Sequence, residues 1–287
     1  MAGFGSGSGD ISRQTQLDMM TVAHPAAIVG QIAAARAAAT LRFRVIFILT
    51  WVVLIGGLGF LIAQSGRVDM VALLNTWGTF ILGGVPITIF VSVASIFFAV
   101  IFAAFGALGR LSRNPTIYAI ATLYVSLVRG TPLIVQIIFV YLALPQFGLV
   151  FDPLLCGIFA LSFNYGAYLT EIFRAGIQAI PRGQREAAAA LGMTDGQTMR
   201  RVILPQAIRI VIPAIGNDFI SMIKDSALVS YITIEELFWR AQNVGTQTFR
   251  NFETLLLAAI VYWILTIVFS FFQERLEKRL AESDVRL

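Results

Sequence analysis

Charge is scarce in this sequence. Only 13% of its 287 residues are Asp, Glu, Lys or Arg, against roughly 25% in an ordinary soluble domain. With 57% hydrophobic residues and a mean hydropathy of +0.80, a water-soluble fold would carry more apolar surface than its interior could take in. Cysteine and histidine each occur once, which excludes an internal disulfide and a metal site of the usual ligand count. Cys156, set in an apolar run, reads as a small buried side chain. The two lysines, Lys224 and Lys278, follow Ile223 and Glu277. A phosphate-holding P-loop needs Gly-Lys followed by Ser or Thr, so none can be written here. Alternation of apolar and polar residues is missing too. Runs such as Val45–Leu61 are apolar on both faces, which argues against a membrane β-barrel and leaves helices as the spanning element. No short apolar region followed by a small-residue cleavage site opens the chain, so no removable signal peptide is expected.

What is present is a series of long apolar runs. A hydrocarbon core about 30 Å thick takes roughly 20 apolar residues per helical crossing. The sequence offers six such spans, near 45–63, 80–108, 131–147, 154–177, 206–224 and 254–273. The second is too long for a perpendicular crossing and is expected to tilt or to extend beyond the lipid. Residues 116–129 form a separate amphipathic stretch between two turn signals, Asn114-Pro115 and Arg129-Gly130-Thr131-Pro132. The expected fold is therefore all-α and integral to the membrane. Residues 1–44 make a cytoplasmic tail, Gly/Ser-rich and disordered over 1–9, with a short Ala-rich helix at 26–40. Residues 45–79 hold an extra first helix and an outer loop, 80–275 a core, and 276–287 a second cytoplasmic tail. Positive charge sets the orientation. With both termini inside, Arg36, Arg42, Arg44, Arg110, Arg113, Arg129, Arg182, Arg185, Arg200, Arg201, Arg275, Lys278 and Arg279 fall on the cytoplasmic side, while Arg67, Arg240 and Arg250 fall outside.

The loop between the fourth and fifth spans carries the most information. It runs Pro181-Arg-Gly-Gln-Arg-Glu186-Ala-Ala-Ala-Ala-Leu-Gly192, then Met-Thr-Asp-Gly-Gln-Thr-Met-Arg-Arg-Val-Ile-Leu204-Pro205. Strong helix formers fill Gln184–Leu191 and a glycine suited to a C-cap ends them. A second short helix is expected from about Asp195, with Pro205 restarting the chain into the fifth span. Two short helices with alanine faces and basic flanks make a rigid projection whose small side chains admit close approach of another protein.

Glu186-Ala-Ala, Gly192 and Ile203-Leu204-Pro205 stand at spacings that resemble the EAA loop of importer permeases of the ABC transporter superfamily. The resemblance implies that this loop, residues 182–205, is the coupling helix that docks on an ATPase subunit. Glu186, Ala187, Ala188, Gly192, Leu204 and Pro205 would be the ATPase-coupling residues. Leu127-Val-Arg-Gly-Thr-Pro-Leu-Ile-Val-Gln136, Ala167-Tyr-Leu-Thr-Glu-Ile-Phe-Arg-Ala-Gly176 and Ile223-Lys-Asp-Ser-Ala-Leu228 are similar to polar-amino-acid permeases in particular. That likeness covers roughly 80–275 and implies a five-helix type I importer core in the bacterial inner membrane. It further implies two ATPase subunits, a second permease chain, identical or homologous, and a periplasmic amino-acid-binding protein. ATP and Mg would be used by the partner ATPase. The permease itself would bind no cofactor, would not be an enzyme, and would touch lipid but no nucleic acid.

Ionisable and amide groups inside spans are costly and usually face a cavity or a protein interior. In the fourth span Asn164, Tyr168 and Glu171 fall at i, i+4 and i+7; in the fifth, Asn217, Ser221 and Lys224 do the same, with Asp225 adjoining. These two stripes are candidates for the translocation path, Glu171 and Lys224 offering an acceptor and a donor to a zwitterion. The same side chains could instead tie helices together, and Arg174 stands within pairing distance of Glu171. Pro213 should kink the fifth helix. A membrane protease is disfavoured because the sole histidine, His24, precedes the first span. The remaining alternative is a secondary transporter or channel for small polar solutes, which accounts for neither the Ala-rich loop nor the absence of an internal repeat.

Overall fold

The structure, a computed structural model, describes residues 25–64 and 69–284; the tail expected to be disordered at 1–9 lies outside them. Among the described residues all regular secondary structure is helical, and the chain divides after Val68 into two units. The first holds one helix, α1, Pro25–Gln64. It runs through residues 40–45 without a break, where the sequence suggested a boundary between an Ala-rich helix and a span. Neither Gly nor Pro stands between Gln31 and Ile55, so nothing stops helix propagation there. Leu49, Leu54 and Leu58 are all exposed, and Ala39–Leu61 is long and apolar enough to cross a membrane.

The second unit begins with α2, Met70–Leu82, capped by the Asp69 carboxylate, which accepts from the Ala72 amide. The sequence pattern places most of these residues in an outer loop, whereas they form a helix. A break at Gly83-Gly84 leads into α3, Val85–Arg110. The break has a physical cause. A Cβ on Gly84 would sit 2.6 Å from the backbone of Leu237, so the chain turns where another segment's backbone crosses it. That crossing segment opens α10, Leu237–Thr248. Its N-cap, Glu236, is wholly buried and accepts from the Trp239 amide at 2.8 Å, with Tyr262 and Thr88 donating their hydroxyls to its other oxygen.

Beyond α3 come α4, Pro115–Arg129, and α5, Leu133–Gln146. The two meet at a bend of 108°, set by Gly130 and Pro132, since proline cannot continue a helical ladder. Next is α6, Pro153–Gln178, the most enclosed helix, with Cys156, Gly157, Ala160, Leu161, Asn164, Gly166, Ala167 and Thr170 all buried. It packs along α3 more extensively than any other helix pair. Small residues make this possible: Ser92, Ser95, Ala99 and Ala103 line the facing stripe of α3, and Gly166 leaves no room for a Cβ beside Phe102 and Ala99. Close approach through small side chains is the usual means of helix association in lipid. Beyond the loop that follows α6 lie two further long helices. The first, α9, Leu204–Asp225, continues as a 3-10 turn over Ser226–Ile232; the second is the long α11, Asn251–Asp284, which packs on α9 and α10.

Among the described residues four helical runs are long and apolar enough to cross a membrane, or five if the bent pair α4–α5 counts as one. The fourth expected span, at 154–177, is not among them. It corresponds to α6, which is surrounded by other helices and so carries polar and small residues where a lipid-facing helix would carry hydrocarbon.

Candidate functional site

The projecting loop is built from three pieces. The first, α7, Arg182–Ala190, ends in a paired-bond cap: the Met193 amide donates to the Ala188 carbonyl at 3.1 Å and the Gly192 amide to Ala189 at 2.9 Å. Gly192 has φ +75°, the left-handed conformation this cap requires and glycine tolerates best. Thr194 then opens α8, Asp195–Thr198, with a reciprocal capping box to Gln197. A π turn follows, Met199–Ile203, whose last bond runs from the Leu204 amide to Met199. Pro205 stands in the first turn of α9, as its tolerated position predicts, but the backbone does not break ahead of it. Helix runs on from Asp195 through the π turn into α9, because a five-residue repeat just ahead of the proline reaches past the ladder position it leaves empty.

Of the loop residues singled out, Glu186, Ala187 and Gly192 are exposed, as are Leu204 and Pro205. Ala188 points inward and is 3% exposed. It belongs to the packing of the projection rather than to its outer surface. The base is apolar: Ile177, Ile180, Ile203 and Ala207 form one buried cluster, joined by Leu111, Met199 and Val202.

The two polar stripes behave differently from each other. On α6, Asn164 is buried and donates to Gln136 Oε1 at 3.1 Å. Gln136 in turn donates to the Val128 and Thr131 carbonyls, at 2.7 and 3.1 Å. One turn on, the half-exposed Tyr168 ring lies under the Arg129 guanidinium at 5.0 Å. Both contacts reach the bend between α4 and α5. Glu171 has both oxygens occupied, by Arg110 at 3.0 Å and by Arg174 at 2.7 Å. On α9, Asn217 and Lys224 are exposed and Ser221 is partly so, while Asp225 accepts from the Tyr165 hydroxyl at 2.7 Å. The structure thus leaves the α9 stripe open and ties most of the α6 stripe into helix contacts.

Several participants were not legible beforehand. Gln136, Arg129 and Tyr165 gain their meaning from partners 28 to 60 residues away, and no local pattern announces such pairings. Asp218, next to Asn217, has one buried oxygen without a hydrogen-bond partner. Its signal was an ionisable residue within a span.

A fully helical membrane unit carrying a rigid polar projection and an open polar helix face defines a class, the transport permeases. A family profile described as binding-protein-dependent transport system inner membrane component matches residues 99–282, well over half of the chain, and the chain belongs to that family. The L-cystine transport system permease protein TcyB of Bacillus subtilis (strain 168) is 42% identical over 202 residues, covering 69% of this chain and 85% of the relative. The arginine transport system permease protein ArtQ of the same organism is 38% identical, with 71% and 94% covered. A crystal structure of an amino acid ABC transporter with histidines aligns with a TM-score of 0.70 at 38% identity, over 74% of this chain and 99% of that one. Methionine transporter MetNI, at 21% identity and a TM-score of 0.60, shares the fold. The protein is accordingly a multi-pass inner-membrane permease, without a nucleotide-binding site or cofactor of its own, that works with an ATPase and a binding protein. A protease, channel or secondary-transporter reading falls away.

Proposed function

We propose that this chain moves a polar amino acid from a periplasmic binding protein to the cytoplasm, through a path lined by Asn217, Ser221, Lys224 and Asp225 and bordered by Tyr168 and Asn164. Relatives named for cystine and arginine transport support the substrate class. A zwitterion needs a cation and a carboxylate along its route, and Lys224 and Asp225 offer both on one helix turn. Glu171, held by two arginines, is left out of this set. The assembly has two permease chains, identical or homologous, and two ATPase subunits. All six spans cross, α6 included, since its 26 residues extend about 39 Å at 1.5 Å per residue. Both termini lie in the cytoplasm, with the arginine-rich segments around Arg110 and 182–201.

The observation that carries this reading is the doubly capped projection at 182–205, whose exposed tip presents Glu186, Ala187 and Gly192. A surface of small side chains held rigid before contact suits docking, because little ordering entropy remains to be lost on binding. Gly192→Trp would add bulk at the tip and strain at a positive φ. Co-purification from membranes with the cognate ATPase should then fall at least tenfold, while the permease itself stays monodisperse in detergent. Undiminished ATPase capture would refute the docking assignment.

A further inference from the structure

Glu171 sits where three helices meet the base of the docking projection, and both of its oxygens are used. Arg110, the last residue of α3, donates its Nε to one at 3.0 Å, and Arg174 donates Nε and Nη2 to the other at 3.0 and 2.7 Å. Side-chain exposures of 16% for Arg110, 19% for Glu171 and 29% for Arg174 place the cluster largely out of water. From it polar contacts run both ways. Towards the projection, Arg174 donates to Gln178 at 2.7 Å, and Arg185 of α7 donates to the Ile177 carbonyl at 3.5 Å. Towards the bend, Arg110 donates to Thr122 Oγ1 at 2.5 Å and lies 4.9 Å over the Tyr118 ring, both on α4. Leu111, next in sequence to Arg110, packs into the apolar base of the projection. The far end of α4 is Arg129, stacked on Tyr168 at the border of the open path.

A carboxylate saturated by two guanidiniums is a poor receptor for a substrate ammonium, which would have to displace a charge-assisted bond. It is a good mechanical junction. Removing it leaves two like charges on either side of the gap, so the joint is pushed apart rather than merely slackened. We propose that Glu171 is a positioning residue for coupling: it locks the docking projection to the corner of α3 and α4, so that movement of the projection is carried along α4 to the bend at Arg129–Pro132. This rests on the reading of 182–205 as the ATPase-docking loop.

The test uses the full complex of permease, ATPase and binding protein in proteoliposomes. It is supplied with whichever of tritiated L-cystine, L-arginine or L-glutamine the wild-type complex imports. Glu171→Gln should lower substrate imported per ATP hydrolysed by about tenfold, with the KM for uptake changed less than twofold and the ATPase still bound. Glu171→Asp should recover at least a third of the wild-type ratio, since a shorter carboxylate still offers an oxygen to each arginine. A raised KM at an unchanged ratio would make Glu171 a substrate ligand and overturn the proposal. Transport and hydrolysis falling in proportion would make it plain helix glue, and would overturn it as well. Gly192→Trp, run in parallel, separates the two readings. If it keeps its ATPase, the docking assignment has failed; if it loses its ATPase while Glu171→Gln keeps the wild-type ratio, only the role of Glu171 has.

Discussion

Single side chains in this protein are constrained mainly by where their partners come from. Glu236 is the clearest case: it caps α10 while receiving hydroxyls from Thr88 on α3 and Tyr262 on α11. Burial pushes its carboxyl above the ordinary value of 4.5, and the bonds from Tyr262, from the 238 and 239 amides and from Thr88 offset only part of that. The folded state therefore holds this proton more tightly than the unfolded chain. Its contribution to stability is complete below the ordinary carboxylate range and is lost as the pH rises through the raised value. Glu236→Gln, which keeps an acceptor for the cap, should flatten that decline in thermal melts of the detergent-purified protein taken at increasing pH above 4.5. Glu236→Ala removes the cap and leaves the Tyr262 hydroxyl short of a partner, a loss of about 2–4 kcal/mol, seen as a lower melting temperature at every pH. Nothing near Glu236 in the sequence reveals this, because Thr88 lies 148 residues away.

At the scale of elements, the helical loop at 182–205 was largely readable. Helix formers and a terminal glycine predict a capped first helix with a second short one from about Asp195, and the φ of Gly192 and the helix Asp195–Thr198 agree. Two features escaped. One is the π turn that carries the helix past Pro205, which depends on how the chain packs below the loop. The other is the inward face of Ala188, hidden because four consecutive alanines give a helix no apolar stripe to read. Labelling distinguishes these faces. In inside-out vesicles, a membrane-impermeant maleimide should modify Ala187→Cys at least tenfold faster than Ala188→Cys. Cys156, 3% exposed, adds little background. Docked ATPase should slow the Ala187→Cys reaction and leave the other unchanged.

On the scale of the molecule, the four buried clusters found among the described residues all lie within 69–284. The family profile lies within the same stretch, at residues 99–282. A chain starting at Asp69 should insert, purify as a monodisperse species and melt within about 3 °C of the full protein; aggregation would show that α1 is needed for folding. The helical runs that made this molecule recognisable as a membrane protein follow from composition and length, since lipid demands saturated backbone hydrogen bonds whatever the partners.

Composition and local pattern alone thus determined membrane residence, helical class, the two short helices within 182–205 and the absence of a nucleotide site, because each rests on residues adjacent in sequence or on totals. Tertiary structure decided which polar side chains stand free and which are spent on packing. Glu171 and Asn164 looked equivalent to Asn217 and Lys224 as intramembrane polar residues, and only the arrival of Arg110 and Gln136 from other helices tells them apart. The physical reason is that a buried polar group must find a partner wherever the fold provides one, and in this chain the partners come from helices far along the sequence.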